Sequence, residues 1–423
     1  MLRKLKEKLT PTELAWVLYD VGNSAFTMLA CSLIPIWFKS LAIGDNPGQI
    51  SSDKATAIWA AGISIVTIVV ALIGPICGAI ADHKDTKKIF FQTAMFIGVA
   101  GCIFNGFTSN WLLFLIVFII SKIAYSCSLT FYDSMLNDVT TEERMDEVSS
   151  YGYAWGYIGS CIPFTIALVF YILGPDMVGL VSGFVSKLIG FSVTAIWWLI
   201  VTIPLLRNYK QLNYVEKEKG AITKVFAQIV NTLKRIFTTE KKIFFFLIAF
   251  FLYIDGVGTI IDNCINIGTD LGLNTVGQVV VLLATQVVAW IFALIFARLS
   301  KKFDTVTLLM VCIIGYFFVC LYALTLKHLW QFAIMAFGVG MFQGSIQSLS
   351  RSYFSKIIPA ENSGEYFGIY DIFAKGASFL GSAVIAAVKF AGGTINIAVG
   401  CLTVFFFLGG IFLKISDKQK STR

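Results

Sequence analysis

Seven ionisable residues fall inside stretches of this sequence that are otherwise apolar: Asp20, Lys122, Asp133, Asp255, Asp262, Asp371 and Lys375. An unpaired charge at the centre of a bilayer costs roughly 2.5–3.5 kcal/mol on insertion scales, so each must face a partner, protein interior or a water-filled cavity. Such a cavity binds and moves polar solutes. Counting ~1.5 Å per residue from the predicted helix ends, Lys122, Asp255 and Lys375 lie nearest the midplane, where transporter sites sit. A cationic Lys122 and an anionic Asp255 make a two-poled site suited to a zwitterion such as an amino acid. The alternative is a salt bridge that only holds one conformation. Asn23, Tyr132, Gln343 and Gln347 are further candidates for solute contact.

Two carboxylates, Asp20 and Asp255, are the candidates for proton coupling. Desolvation disfavours a charged carboxylate and a nearby cation favours it, so proton affinity can change with conformation. Asp20 has a second reading, as a gate residue near the water interface. Asp133 and Arg144 crowd the predicted inner ends of the fourth and fifth apolar runs. Arg351 and Glu365 occupy the matching place in the second half, and gate ion pairs are expected there. Asp371 and Lys375 are four apart, share a helix face and are expected to neutralise each other.

Enzyme chemistry has little support. There are two histidines, His83 and His328, and nine cysteines spread singly without a CxxC pair, so neither a metal site nor a nucleophile–base pair can be assembled. No cofactor is expected.

The elements that must position these residues are membrane spans. Hydrophobic residues make up 57% of the 423, charged residues 14%, and mean hydropathy is +0.79. That composition belongs to a polytopic membrane protein. Apolar runs at about 14–38, 56–81, 88–108, 111–135, 148–173, 185–206, 242–263, 274–298, 305–325, 329–354, 365–389 and 394–414 predict twelve helices. The fold class is all-α, two six-helix bundles, with residues 1–206 and 242–423 as the bundles and 207–241 as a linker. Thr10, Pro11 and Glu13 read as a helix start with a capping box. In the linker, Ile222, Val225, Phe226, Ile229, Val230, Leu233, Ile236 and Phe237 recur at helical spacing, an amphipathic helix lying on the membrane.

Basic residues follow sidedness. With the N-terminus inside, 26 Lys and Arg fall on inner segments and five on outer ones, Lys39, Lys54, Lys187, Lys327 and Lys389. Both termini are therefore expected in the cytoplasm, and the net charge of +8 reflects topology, not nucleic acid. Short matches between the halves support a duplication: Asp82–Thr86 with Lys301–Thr305, Glu143 and Glu147 with Glu361 and Glu365, and Leu18–Gly22 with Leu252–Gly256. Small residues at Gly152, Gly156 and Gly159, and at Gly340 and Gly344, predict close helix approach.

The stretch Gly78-Ala79-Ile80-Ala81-Asp82-His83-Lys84-Asp85-Thr86-Lys87-Lys88 resembles the loop 2–3 signature of the major facilitator superfamily. Asp85 stands where that family has glycine and Thr86 where it has arginine, so the charge latch the resemblance implies rests on Asp82, Lys87 and Lys88. Three further stretches, ELAWVLYDVGNSAF, EVSSYGYAWGYIGS and MFQGSIQSLSRSYFSKIIPAENSGEYFGIYDIFAKGASFLG, resemble the vacuole-effluxer-like branch, whose fungal members resemble amino-acid exporters. The resemblance implies that spans 1, 4, 7 and 10 line a central cavity and that transport runs by alternating access. The expected function is secondary transport of a small polar solute, an amino acid or related metabolite, by proton-coupled efflux across a bacterial plasma membrane as a monomer. Drug or lipid efflux and a non-transporting receptor are the alternatives.

Overall fold

The computed structural model describes residues 8–44, 48–175, 177–216, 221–264, 267–268, 271–273, 275–376 and 379–420. Its helices are α1 (Pro11–Cys31), α2 (Leu33–Ala42), α3 (Ser52–Ala81), α4 (Lys87–Phe107), α5 (Trp111–Ser134), α6 (Met145–Ile172) and α7 (Gly183–Asn208) in the first half. The linker carries α8 (Ala221–Thr238). The second half holds α9 (Lys241–Asp262), α10 (Thr275–Leu299), α11 (Thr305–Ala323), α12 (Leu329–Ile357), α13 (Ser363–Gly376), α14 (Phe379–Phe390), α15 (Ile395–Cys401) and α16 (Thr403–Lys418). Among the described residues eleven helices or near-continuous helix pairs are long and apolar enough to cross a membrane, and there are twelve if the α1–α2 pair, bent by 40°, is counted as one span.

The first span starts where its residues dictate. Thr10 Oγ1 accepts from the Glu13 amide at 3.2 Å and the Glu13 carboxylate accepts from the Thr10 amide at 2.8 Å, satisfying two otherwise orphaned donors. It then bends at Ser32, whose hydroxyl donates to the Met28 carbonyl. The eleventh span comprises α13, described to Gly376, and α14, described from Phe379.

Buried apolar side chains form two main clusters. One runs from Leu9 to Tyr209 and also takes in Ala297, around Trp16, Phe26, Phe91 and Trp198. The other runs from Ile236 to Leu413, around Phe246, Tyr253, Tyr316 and Phe406. Large apolar side chains such as Ile68, Leu72, Phe318 and Phe407 remain exposed on the outer faces, as lipid contact requires. The halves meet along α3 with α13, α6 with α10 and α6 with α12. α8 reaches both, packing on α3 and α9.

Candidate functional site

α12 projects Arg351 out of the second bundle into the first. Its guanidinium is buried and meets Asp133 of α5 at 2.9 Å and Asp20 of α1 at 3.2 Å. It also donates to the Ser149 hydroxyl at 2.9 Å and the Ser149 carbonyl at 3.1 Å, and lies over the rings of Trp16, Tyr132 and Tyr153 at 4.5, 5.4 and 4.7 Å. Five fixed donors and a flat, weakly hydrated face suit arginine to this setting. One cation thus faces two carboxylates. Asn23 holds the other side of Asp20, donating at 3.1 Å. Gly152 leaves space for that carboxylate, since a Cβ there would stand 2.4 Å from Asp20 Oδ2. Tyr132 contributes its ring, stacked at 4.4 Å on Trp16.

A second inter-bundle contact lies at the α3–α13 seam. The two oxygens of Asp82 accept from the Gly364 and Glu365 amides at 2.7 and 2.8 Å, and Lys87 sits 3.3 Å away while donating to Ser363 at 2.8 Å. The Asp82 carboxyl is raised to about 6 because burial outweighs the pull of Lys87 and the two amides. α3 and α13 approach so closely that a Cβ on Gly78 would be 2.1 Å from the Gly364 oxygen and one on Gly368 2.5 Å from the Pro75 Cα. The reading of the sequence singled out glycines on α6 and α12 but passed over these, though Gly74-x-x-x-Gly78 and Gly364-x-x-x-Gly368 carry the same spacing signal.

Third, Asp146 accepts from Lys356 at 2.7 Å, Ser352 at 2.5 Å and Thr305 at 2.7 Å, and Lys301 meets Glu147 at 2.9 Å. Asp146 and Lys356 were not singled out beforehand, because no spacing rule joins residues 210 apart. Arg144 pairs within its own half, forming two bonds of 2.8 and 2.9 Å to Glu13, the same carboxylate that caps α1.

The remaining charges lie further along the spans. Asp371 pairs with Lys375 at 2.5 Å and accepts from Thr130 across the bundles. Lys122 sits 4.8 Å from the centre of the Tyr125 ring and 5.8 Å from that of Phe26. Among the described residues no ion pair joins Lys122 to Asp255. Asp255 instead accepts from the Leu380 amide at 3.1 Å, the Gly381 amide at 2.8 Å and Thr259 at 3.2 Å. A carboxylate offers two oxygens, and here they satisfy two backbone amides of α14 inside the membrane. Gln343 and Gln347 are joined to each other on α12, the Gln347 amide donating to the Gln343 carbonyl at 3.0 Å. A groove of about 460 Å³ between α3, α4 and α5 is lined by Ile89, Ile97, Ile120 and Phe131 and contains none of these charges. Among the described residues no group of histidine, cysteine and carboxylate side chains could hold a metal ion.

Two helical bundles joined by a linker and latched by charges at one end define a major facilitator transporter. Solved structures agree on the fold: the transporter FucP in its outward conformation superposes with a TM-score of 0.74 over 97% of this chain and 99% of its own, at 16% identity. The proton:xylose symporter XylE gives 0.72 over 96% and 94%, at 13% identity. Within that class, the model for vacuole effluxer Atg22-like proteins matches residues 11–144 and 137–423, and the chain belongs to that family. The MFS-type transporter YxiO of Bacillus subtilis is 38% identical over 421 residues, covering 99% of this chain and 97% of that one. Autophagy-related protein 22-1 of Neosartorya fischeri is 24% identical over 65% of this chain, which spans about half of that relative's length. The chain is thus a membrane transporter and not an enzyme.

Proposed function

We propose that this transporter exports a small zwitterionic solute of the amino-acid type by alternating access, with proton binding as its energy source. The observation that carries the reading is the one-sided closure. Every polar contact between the bundles described above lies in the halves of the helices nearest the linker, from Thr130–Asp371 down to Lys301–Glu147. A transporter closed at one end exposes its central site to the other. With the linker on the cytoplasmic side, this is the outward-facing arrangement. In this reading Lys122 serves the solute carboxylate and Asp262, the last residue of α9, its amine. Asn23, Tyr132, Gln343 and Gln347 stand nearer the latch and serve the solute when the latch opens.

Proton binding is assigned to Asp20 with Asp133, because Arg351 can fully neutralise only one of them, and opening the gate removes that cation from both. Asp255, held by the Leu380 and Gly381 amides, is the second candidate.

Exchange of labelled amino acids by the purified protein in liposomes tests the function. Uptake by counterflow that is lost in Lys122→Ala and driven by an imposed pH gradient supports it. Transport of amphipathic cations, with no amino acid exchanged, would overturn it in favour of drug efflux.

A further inference from the structure

We propose that α8 is a lipid-binding clamp: its outer face seats in the membrane leaflet on the linker side, anionic phospholipid headgroups bind its basic end, and this seating holds the gate closed. The clamp's effect on the gate rests on the alternating-access reading; its binding to lipid does not.

At ~100° per residue, Val225, Ile229, Thr232 and Ile236 occupy one ~60° sector of the helix. All four are buried; Val225 and Ile229 pack with Ile76, Ala79 and Ile80 of α3, and Ile236 joins the second bundle's core. The adjoining ~60° sector holds Phe226, Val230, Leu233 and Phe237. Three of these are large, apolar and uncovered, at 72% (Phe226), 48% (Val230) and 54% (Phe237) exposed. A helix that needed only to pack on protein would carry polar residues in that sector.

What covers the sector follows from its neighbours. Ile68, Leu72, Ile76 and Ile80 form one i, i+4 stripe along α3. Ile68 and Leu72 are 59% and 66% exposed, the lipid-facing surface of a spanning helix, and Ile76 and Ile80 continue it beneath α8. The apolar face of α8 therefore prolongs a surface already in contact with acyl chains. Charge identifies the headgroup: residues 221–242 hold five basic residues and one acidic residue, and Lys234 and Arg235 are exposed. Phosphate groups of an anionic leaflet attract such a segment.

The link to the gate is direct. Gln228 donates to Glu365 at 2.7 Å, and the Glu365 amide is one of the two held by Asp82. Arg235 reaches Tyr366 at 3.4 Å, and Glu240 accepts from the same hydroxyl at 2.7 Å. α8 thus grips α3 with its buried face and the first turn of α13 with its polar edge. Separation of α3 from α13 breaks one grip or the other, so whatever seats α8 favours closure.

The test uses the full-length protein in nanodiscs of phosphatidylcholine alone or with phosphatidylglycerol. An environment-sensitive dye on Val230→Cys, in a cysteine-free background, reports seating. The modification rate of Ser363→Cys, buried in the closed seam, reports opening. We expect an apolar dye environment in both lipids, and labelling about fivefold slower with phosphatidylglycerol, the effect of one basic residue meeting an anionic surface. Lys234→Gln with Lys241→Gln, in protein whose helical content is unchanged, should abolish the lipid difference. A water-exposed dye overturns lipid seating and leaves the face to a protein partner. Equal labelling rates in the two lipids overturn the headgroup clamp, whether or not any amino acid is transported.

Discussion

Arg351 concentrates more of the interface than any other residue, and its removal separates two effects. Arg351→Ala leaves Asp20 and Asp133 as buried carboxylates without a cation, and breaking a buried pair in this way costs about 3–5 kcal/mol. The expected result is a large fall in thermal stability of the closed form, together with faster modification of a cysteine at Ser149. Adding Asp133→Asn to Arg351→Ala should recover part of the loss, because it removes one of the uncompensated charges. A double variant no more stable than Arg351→Ala alone would show that the guanidinium acts by packing on Trp16 and Tyr153.

Asp82 supplies a pH dependence. In the closed seam its carboxyl titrates near 6, against 3.8 when free in water. The closed form therefore binds this proton more tightly, and closure is favoured as pH falls from about 6 towards 4 and weakens as pH rises through that window. Labelling of Ser363→Cys, normalised to an exposed cysteine at Leu212, should slow between pH 7 and pH 5. In Asp82→Asn that slowing should disappear. Lys87, Asp138 and the Glu365 side chain face the same seam and are unchanged in the comparison.

At the scale of elements, the α3–α13 contact is where small residues matter most. Gly78 and Gly368 bring backbone against backbone between bundles, so a larger residue obstructs closure without touching either core. Gly368→Val should yield a folded protein whose seam stays open, seen as rapid Ser363→Cys labelling with unchanged helical content. Loss of helical content instead would place Gly368 in the fold of its own bundle. The contact of α9 with α14 has its own dependence on a single side chain, Asp255. Asp255→Asn keeps one acceptor and loses the charge that two α14 amides bond to, with an expected cost of about 1–2 kcal/mol. If Asp255 only holds these amides, transport driven by a pH gradient persists in that variant; its loss with exchange intact would assign proton coupling to Asp255.

For the whole molecule, sidedness decides the direction of every step above. Cysteines at Leu212 and Leu180, both strongly exposed and at opposite ends of the molecule, distinguish the two topologies. With the linker in the cytoplasm, an impermeant reagent added to intact cells modifies Leu180→Cys and spares Leu212→Cys. The reverse pattern would turn the proposed export into import.

Hydropathy alone determined the membrane setting and a set of eleven or twelve spans, because a bilayer requires about twenty apolar residues per helix and leaves little freedom. Thr10, Pro11 and Glu13 declared the first helix, since capping is local. The pairing of Asp371 with Lys375 was legible for the same reason, a spacing of four on one helix. The candidate gate residues were visible as charges near predicted ends, but their partners were not. Arg351 meets Asp20 across 331 positions and Asp82 meets backbone amides 282 and 283 positions away, and no periodicity encodes such distances. Only the packing of one bundle on the other set those contacts. Asp255 shows the same division most plainly: the sequence placed a carboxylate deep in the seventh span and offered Lys122 as its partner. The tertiary structure gave it the Leu380 and Gly381 amides of α14 instead, because backbone donors inside the membrane must find acceptors and the packing of α14 on α9 put this carboxylate within their reach.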